Sequence, residues 1–153
     1  AKVISLDDDG RPLDFEMNDR CAAGTGRFFE LMSVALNVTL PEFGDIALQA
    51  QSPAPISNTC TVFAESEVIG LLAEGRSVAE IAAGLCESVA RRVLQLANRL
   101  HVREPVVFCG GVAYNRGVLA ALRRVMGMEV VVPEQPQLVG ALGAALLAVE
   151  RSQ

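Results

Sequence analysis

Apolar and polar residues alternate along the first 17 positions, which is the pattern of a β-strand with one face toward a core. Two alternating stretches, residues 3–6 and 13–17, are separated by Asp7-Asp8-Asp9-Gly10. Asp-Gly between alternating stretches is typical of a tight hairpin turn. The pattern therefore predicts an antiparallel hairpin over residues 2–17.

Further along the chain, apolar residues recur every three or four positions, which is the period of an amphipathic helix. Ser77-Val78-Ala79-Glu80 is a capping box, and Gly75 and Gly127 follow helical stretches as C-terminal glycines do. Gly140 and Gly143 should let another backbone pack closely on the last helix. The predicted helices span residues 22–36, part of 38–59, 64–74, 78–100, 115–126 and 138–149.

Short apolar stretches at residues 105–109 and 129–132 alternate with the last two predicted helices. A strand–helix–strand–helix order predicts a parallel pair joined by a right-handed crossover. Together with the hairpin, this pair predicts an α/β fold with a mixed sheet and flanking helices.

Composition narrows the class of protein. The chain has 153 residues, of which 51% are hydrophobic and 20% charged, as expected for one globular domain. A net charge of −5 argues against nucleic acid or an anionic membrane as a partner. The sequence contains neither a signal-peptide pattern nor an apolar run of the ~18 residues that a membrane helix needs. We therefore expect a cytoplasmic protein with neither type of partner.

A pair of glycines, Gly110-Gly111, follows the predicted strand at residues 105–109 and precedes the helix that starts at Asn115. Glycines in such a turn let a ligand approach the backbone, and ligands of α/β sheets bind at the carboxyl ends of strands. A tight turn without a ligand would have the same sequence. Gly24 and Gly26, beside Arg27, raise the same pair of alternatives: a phosphate contact or a flexible helix entry.

Cys21 and Cys60 each come just before a predicted helix start, where the helix dipole favours negative charge. An iron–sulfur cluster bound by thiolates is negatively charged, but two cysteines 39 positions apart cannot supply four thiolates. Two copies of the chain around a two-fold axis could. The alternative is that both are small buried thiols. Cys86 and Cys109 are predicted to be core thiols, and Glu65 and Glu67 to lie in a helix's first turn.

Four runs of the chain together resemble the BadF/BadG/BcrA/BcrD ATPase family, which includes activators of 2-hydroxyacyl-CoA dehydratases and ATPase subunits of benzoyl-CoA reductases. The resemblance is carried by Met17–Phe28 (MNDRCAAGTGRF), Asn58–Ile69 (NTCTVFAESEVI), Phe108–Gly117 (FCGGVAYNRG) and Pro133–Ala145 (PEQPQLVGALGAA).

The resemblance implies a fold of the actin, sugar kinase and Hsp70 (ribonuclease H-like) type. It implies one [4Fe–4S] cluster bridging a homodimer or two like subunits, with Cys21 and Cys60 as ligands. Gly110, Gly111 and Asn115 would lie against the adenosine of ATP or ADP, bound with magnesium, and Gly24 and Gly26 near the nucleotide cleft. ATP hydrolysis would drive an electron to a dehydratase or reductase that acts on a CoA thioester.

The family's two acidic, glycine-rich phosphate motifs are missing, and Ala1-Lys2 resembles the tail of the second. We therefore expect residues 1–153 to be the C-terminal half of such an ATPase, unable to hydrolyse ATP alone because the residues that hold magnesium are absent. Two alternatives stay open. One is a sugar or acyl kinase of the same fold without a cluster, and the other is a non-enzymatic module that dimerises and holds the cluster.

Overall fold

The computed structural model describes residues 1–18, 24–57 and 61–152. Its secondary structure follows the predicted order of strands and helices closely. The elements are β1 (Lys2–Leu6), β2 (Pro12–Met17), α1 (Thr25–Ala35), α2 (Leu40–Ala47), α3 (Thr61–Ala73), α4 (Val78–Arg99), β3 (Val106–Val107), a 3-10 turn (Gly111–Tyr114), α5 (Arg116–Met126), β4 (Val130–Val131) and α6 (Val139–Glu150).

The predicted hairpin is confirmed. β1 pairs antiparallel with β2, with Ile4 opposite Phe15, and the turn contains Gly10 at φ +79°. The hairpin contacts α4, where Arg99 donates to the carboxylate of Glu16 at 3.2 Å. Ile4 and Phe15 are both exposed. The apolar face of the hairpin is therefore uncovered in the described chain, although alternation alone would have placed it against a core.

Helix boundaries are set by local capping. Ser77 and Glu80 form the predicted capping box of α4, in which the Glu80 N–H donates to the Ser77 hydroxyl. Thr39 and Glu42 form a second capping box at α2, which the sequence predicted only as a short helix. Gly127 ends α5 at φ +62°, a left-handed conformation that favours glycine.

β3 and β4 form the predicted parallel pair, with Val106 opposite Val130. The single mixed sheet, however, is not formed within the described residues: the hairpin and the parallel pair are two separate two-stranded sheets. Both kinds of pairing are present, but no described strand lies between the two pairs to hydrogen-bond to both.

The core lies among the first five helices. Phe29 is 2% exposed and Phe43 is fully buried, and their rings meet edge to face with centroids 5.2 Å apart. This contact joins α1 to α2, and α2 in turn packs against α4 and α5 within one hydrophobic core. In the part of the chain that the structure describes, no helix is long and apolar enough to cross a membrane.

α6 departs from its prediction. The space beside Gly140 and Gly143, where close packing was expected, contains no atom within 4 Å of an added Cβ. Within the described chain none of the α6 residues is buried, and Leu142 is 61% exposed. The expected close packing at these glycines is therefore not found within the described chain.

Candidate functional site

The loops that follow β3 and β4 meet at one edge of the parallel pair. Phe108 N–H donates to the Val131 carbonyl at 2.8 Å, and Gly110 N–H donates to the Pro136 carbonyl at 2.7 Å. Parallel strands bring their carboxyl ends to the same edge, which is where α/β sheets bind ligands. This edge is the candidate site.

The turn at Gly110 and Gly111 presents bare backbone to open space. Gly110 has φ +93° and ψ 171°, a backbone conformation that residues other than glycine rarely adopt. A Cβ added to either glycine would meet nothing within 4 Å. Position 110 therefore needs glycine for its backbone conformation. The open space beside both glycines leaves room for a ligand at the turn.

Asn115 has a structural role that the sequence did not indicate. Its side-chain oxygen accepts a hydrogen bond from the Val118 N–H at 3.0 Å and so caps α5. A Cβ added to Gly44 of α2 would lie only 2.6 Å from the same oxygen. This oxygen is thus occupied by the start of α5 and faces α2, so a contact of Asn115 with adenosine stays a prediction.

Two further contacts hold the start of α5 against α2 and α4. Arg116 donates to the Asp45 carboxylate at 2.9 Å. A Cβ added to Gly117 would lie 3.0 Å from the Ala47 Cβ and 3.1 Å from the Cys86 sulfur. Sequence analysis missed Gly44 and Asp45. The available signal was a glycine inside a helical pattern, which often marks a close approach of another backbone.

Gly24 and Gly26 lie at the start of α1. Gly24 is the N-cap residue, and its carbonyl accepts from the Phe28 N–H at 3.0 Å. A Cβ on Gly26 would meet nothing within 4 Å. Arg27, considered as a phosphate ligand, forms an exposed ion pair with Glu30 at 2.8 Å. α1 contacts the 3-10 turn, so both glycine pairs belong to elements that touch.

Cys21 and Cys60, the predicted cluster ligands, lie outside the described residues. The described chain resumes at Gly24, just before α1, and α3 starts at Thr61, directly after Cys60. α1 and α3 contact each other. Across residues 1–18, 24–57 and 61–152, no three His, Cys, Asp or Glu side chains are close enough together to hold a metal ion.

The predicted position of Glu65 and Glu67 in a first helical turn is wrong. α3 begins at Thr61, so its first turn ends before Glu65. Glu67 instead accepts hydrogen bonds from the N–H and the hydroxyl of Ser57, both at 2.9 Å. These bonds fasten the segment before Cys60 to the middle of α3.

The other two cysteines differ from each other. Cys86 is buried as predicted, and burial raises the pKa of its thiol to about 12 although the nearby Arg124 acts in the opposite direction. Cys109 was also predicted to be a core thiol, but it is exposed. β3 ends at Val107, so Cys109 lies in the loop beyond the strand instead of inside it.

Comparison with known proteins gives the same family as the sequence runs. The model of the BadF/BadG/BcrA/BcrD ATPase family matches residues 1–148. The activator of lactoyl-CoA dehydratase from Anaerotignum propionicum is 52% identical over all 153 residues, which cover 59% of its length. The 2-hydroxyisocaproyl-CoA dehydratase activator from Clostridioides difficile is 50% identical over the whole chain, which covers 58% of its length.

A solved structure is similar as well. The activator of the 2-hydroxyisocaproyl-CoA dehydratase from Clostridium difficile with bound ADPNP superposes with a TM-score of 0.92 at 50% identity, covering 98% of this chain and 56% of that one. The predicted actin-like ATPase fold is therefore confirmed. The chain spans less than three fifths of the length of the relatives it matches.

Proposed function

This chain belongs to the BadF/BadG/BcrA/BcrD ATPase family, and we propose that the protein containing it is an ATP-dependent activator of a 2-hydroxyacyl-CoA dehydratase. The observation that carries the proposal is the identity of about one half, along the whole chain, to two proteins named as such activators. A benzoyl-CoA reductase subunit of the same family is the related alternative. A dehydratase is favoured as the partner because both of those relatives are named as activators of a dehydratase.

We place the adenine nucleotide at the edge formed by the loops after β3 and β4. The support is the bare backbone of Gly110 and Gly111, which faces open space beside the carboxyl ends of two parallel strands. Gly24 and Gly26 would approach the same nucleotide from α1, whose contact with the 3-10 turn is consistent with this placement. The magnesium ligands would belong to the portion of the protein that this chain does not cover.

A [4Fe–4S] cluster fits the chemistry of the two cysteines that precede α1 and α3. Thiolates are the usual ligands of such clusters. Cys86 is unsuitable because its sulfur is buried in the helical core against Gly117. We propose that Cys21 and Cys60 from each of two subunits hold one cluster, in a homodimer or a pair of like subunits. When bound, such a cluster accepts and releases one electron.

The helices next to these cysteines suit an anionic neighbour. Residues 25–28 of α1 and 61–64 of α3 contain no acidic side chain. No carboxylate in either first turn would therefore repel an anion at the positive end of the helix dipole. Phe28 and Ala64 lie in these two turns, and both are buried in the shared core. In our proposal, ATP binding closes a cleft between domains and moves these two helix ends, which couples nucleotide state to electron delivery.

The decisive experiment uses the intact protein, reconstituted anaerobically with iron and sulfide. We expect about four irons per two chains, an iron-dependent absorbance band near ~400 nm, and loss of both in Cys21→Ala and in Cys60→Ala. Cys109→Ala is the matched control, because Cys109 is exposed and lies in another loop. Activation of a purified 2-hydroxyacyl-CoA dehydratase should require the same two cysteines, because the cluster delivers the electron in our proposal.

Other outcomes distinguish the alternatives. A protein that binds ATP but no iron would favour the cluster-free kinase. A cluster in the isolated 153-residue chain without ATP hydrolysis, when the intact protein hydrolyses ATP, would assign the chain as the cluster-holding half. ATP hydrolysis without any activation of a dehydratase would contradict the proposed partner.

A further inference from the structure

Neither glycine of the Gly110–Gly111 turn has a neighbour on its side-chain face, since a Cβ added at either position would meet no atom within 4 Å. The turn is therefore positioned by the contacts at its two ends. At its front, Gly110 N–H is bonded to the Pro136 carbonyl. At its rear, the 3-10 turn leads into Asn115, with the Asn115 N–H bonded to the Val112 carbonyl at 2.9 Å. The position of the turn therefore depends on what holds Asn115 and the start of α5.

The start of α5 packs on α4 at Cys86 and also on a small part of α2. A Cβ added to Gly44 would lie 2.6 Å from the Asn115 side-chain oxygen and 2.8 Å from the Arg116 backbone nitrogen. The two helices therefore meet here with no room for a side chain. Asp45, the next residue, accepts from Arg116 at 2.9 Å. α2 itself is anchored by Phe43, which is fully buried.

We propose that α2 positions the nucleotide-binding turn, with Gly44 and Asp45 as positioning residues for the adenine nucleotide. This inference rests on the proposed placement of the nucleotide at Gly110 and Gly111. Gly44 sets the closest distance between α2 and the start of α5, and Asp45 sets the lateral position of Arg116. Gly44 lies against Asn115 and Arg116, and Asp45 pairs with Arg116, so both act on the turn through the start of α5.

The test is equilibrium binding of fluorescently labelled ADP, with magnesium, to the intact protein. Gly44→Ala should weaken binding about tenfold or more, because the start of α5 must move away from α2. Asp45→Arg and Arg116→Asp should each weaken binding by about two- to fivefold, the range of an exposed ion pair. The double variant Asp45→Arg/Arg116→Asp should recover most of the loss, which a merely structural effect on either residue would not do.

Two matched controls should bind ADP as the unaltered protein does. Gly70→Ala adds a methyl group to a helical glycine that faces open space. Glu16→Gln removes an exposed ion pair, that of Glu16 with Arg99 at 3.2 Å, far along the chain from α5.

The outcomes separate this inference from the function on which it rests. If the unaltered protein binds ADP and the two single charge variants bind it equally well, the positioning role is wrong while the nucleotide site stands. If the unaltered protein binds no ADP, the nucleotide proposal fails and this inference fails with it. If Gly44→Ala does not fold, the charge reversal and its rescue decide the question alone.

Discussion

The Ala54 N–H donates to the carbonyl oxygen of Glu80 at 2.8 Å, which fastens the segment before Cys60 to the first turns of α4. One turn further along α4, Gly84 lies against the Ala54 carbonyl, and an added Cβ would also come within 2.9 Å of Ile56. The segment that leads to Cys60, a predicted cluster ligand, thus packs on α4 at Gly84, where there is no room for a larger side chain.

Gly84→Ala should therefore destabilise the protein by about 1–3 kcal/mol, the cost of forcing atoms into a packed contact. The loss should outweigh the gain in helix propensity from replacing a helical glycine, roughly 1 kcal/mol. Urea unfolding followed by circular dichroism measures the change. Gly70→Ala is the control, and it should be neutral or slightly stabilising because a Cβ there meets nothing within 4 Å. Equal stability of Gly84→Ala and the unaltered protein would contradict the packing at Ala54.

Cys86 and Cys109 should differ sharply in thiol reactivity. At pH 8 the buried Cys86 is protonated, since its pKa is about 12, whereas Cys109 is exposed. When native protein is titrated with a chromogenic disulfide, the number of reacting thiols should be one lower in Cys109→Ser than in the unaltered protein. Cys86→Ala should leave the native count unchanged and lower only the count measured in denaturant. Rapid native reaction of Cys86 would show that α4 and α5 open readily.

The capping box at α4 should make stability depend on acid. Hydrogen bonds from the Ser77 backbone and side chain lower the pKa of Glu80 below its usual 4.5. A lowered pKa means that the ionised group stabilises the folded state above pH 4.5, and that this contribution is lost as pH falls through the lowered value. The melting temperature of Glu80→Gln should lie below that of the unaltered protein at pH 7, and the difference should shrink below pH 4.

Ser77→Ala tests the other half of the box. The Ser77 hydroxyl accepts from the Glu80 N–H at 3.2 Å, and the loss of such a cap costs about 1 kcal/mol. The free energy of unfolding at pH 7 should fall by that amount. If the cap is responsible, Ser77→Asp should restore most of the stability, whereas Ser77→Val should not.

Much of the fold could be predicted because the signals are local. The Asp-Gly turn, the Ser77–Glu80 capping box and Gly127 determine backbone conformation within a few residues, and the structure confirms each of them. The site was harder to predict. Gly44 and Asn115 are 71 positions apart and meet only when α2, α4 and α5 pack together. Cys109 was misassigned because an apolar stretch does not show where a strand ends, and β3 stops two residues earlier.

The long-range error concerns the apolar surfaces. Alternation in the hairpin predicted one face toward a core, and the glycines of α6 were expected to let another backbone pack closely. Phe15 is nevertheless 55% exposed and Leu142 is 61% exposed. Periodicity indicates which face of an element is apolar, but not which other element covers it. In the described chain these two surfaces lie uncovered, whereas the buried apolar side chains of α1 to α5 pack together in one core.

The exposed leucines of α6 should therefore contribute little to the stability of this 153-residue chain. In Leu142→Gln/Leu146→Gln we expect the free energy of unfolding to change by no more than about 0.5 kcal/mol, because neither side chain leaves a core. Leu85→Ala, at a fully buried position of α4, should cost about 2–5 kcal/mol in the same assay.

The same double variant should reduce self-association. Contiguous exposed apolar surface favours contacts between molecules, so light scattering should show a lower average mass at high protein concentration when both leucines are replaced. Glu150→Gln, at the end of the same helix, is the control and should leave the average mass unchanged. A large loss of stability in the double variant would mean that α6 packs on the core in solution. That result would overturn its assignment as an uncovered helix in this chain.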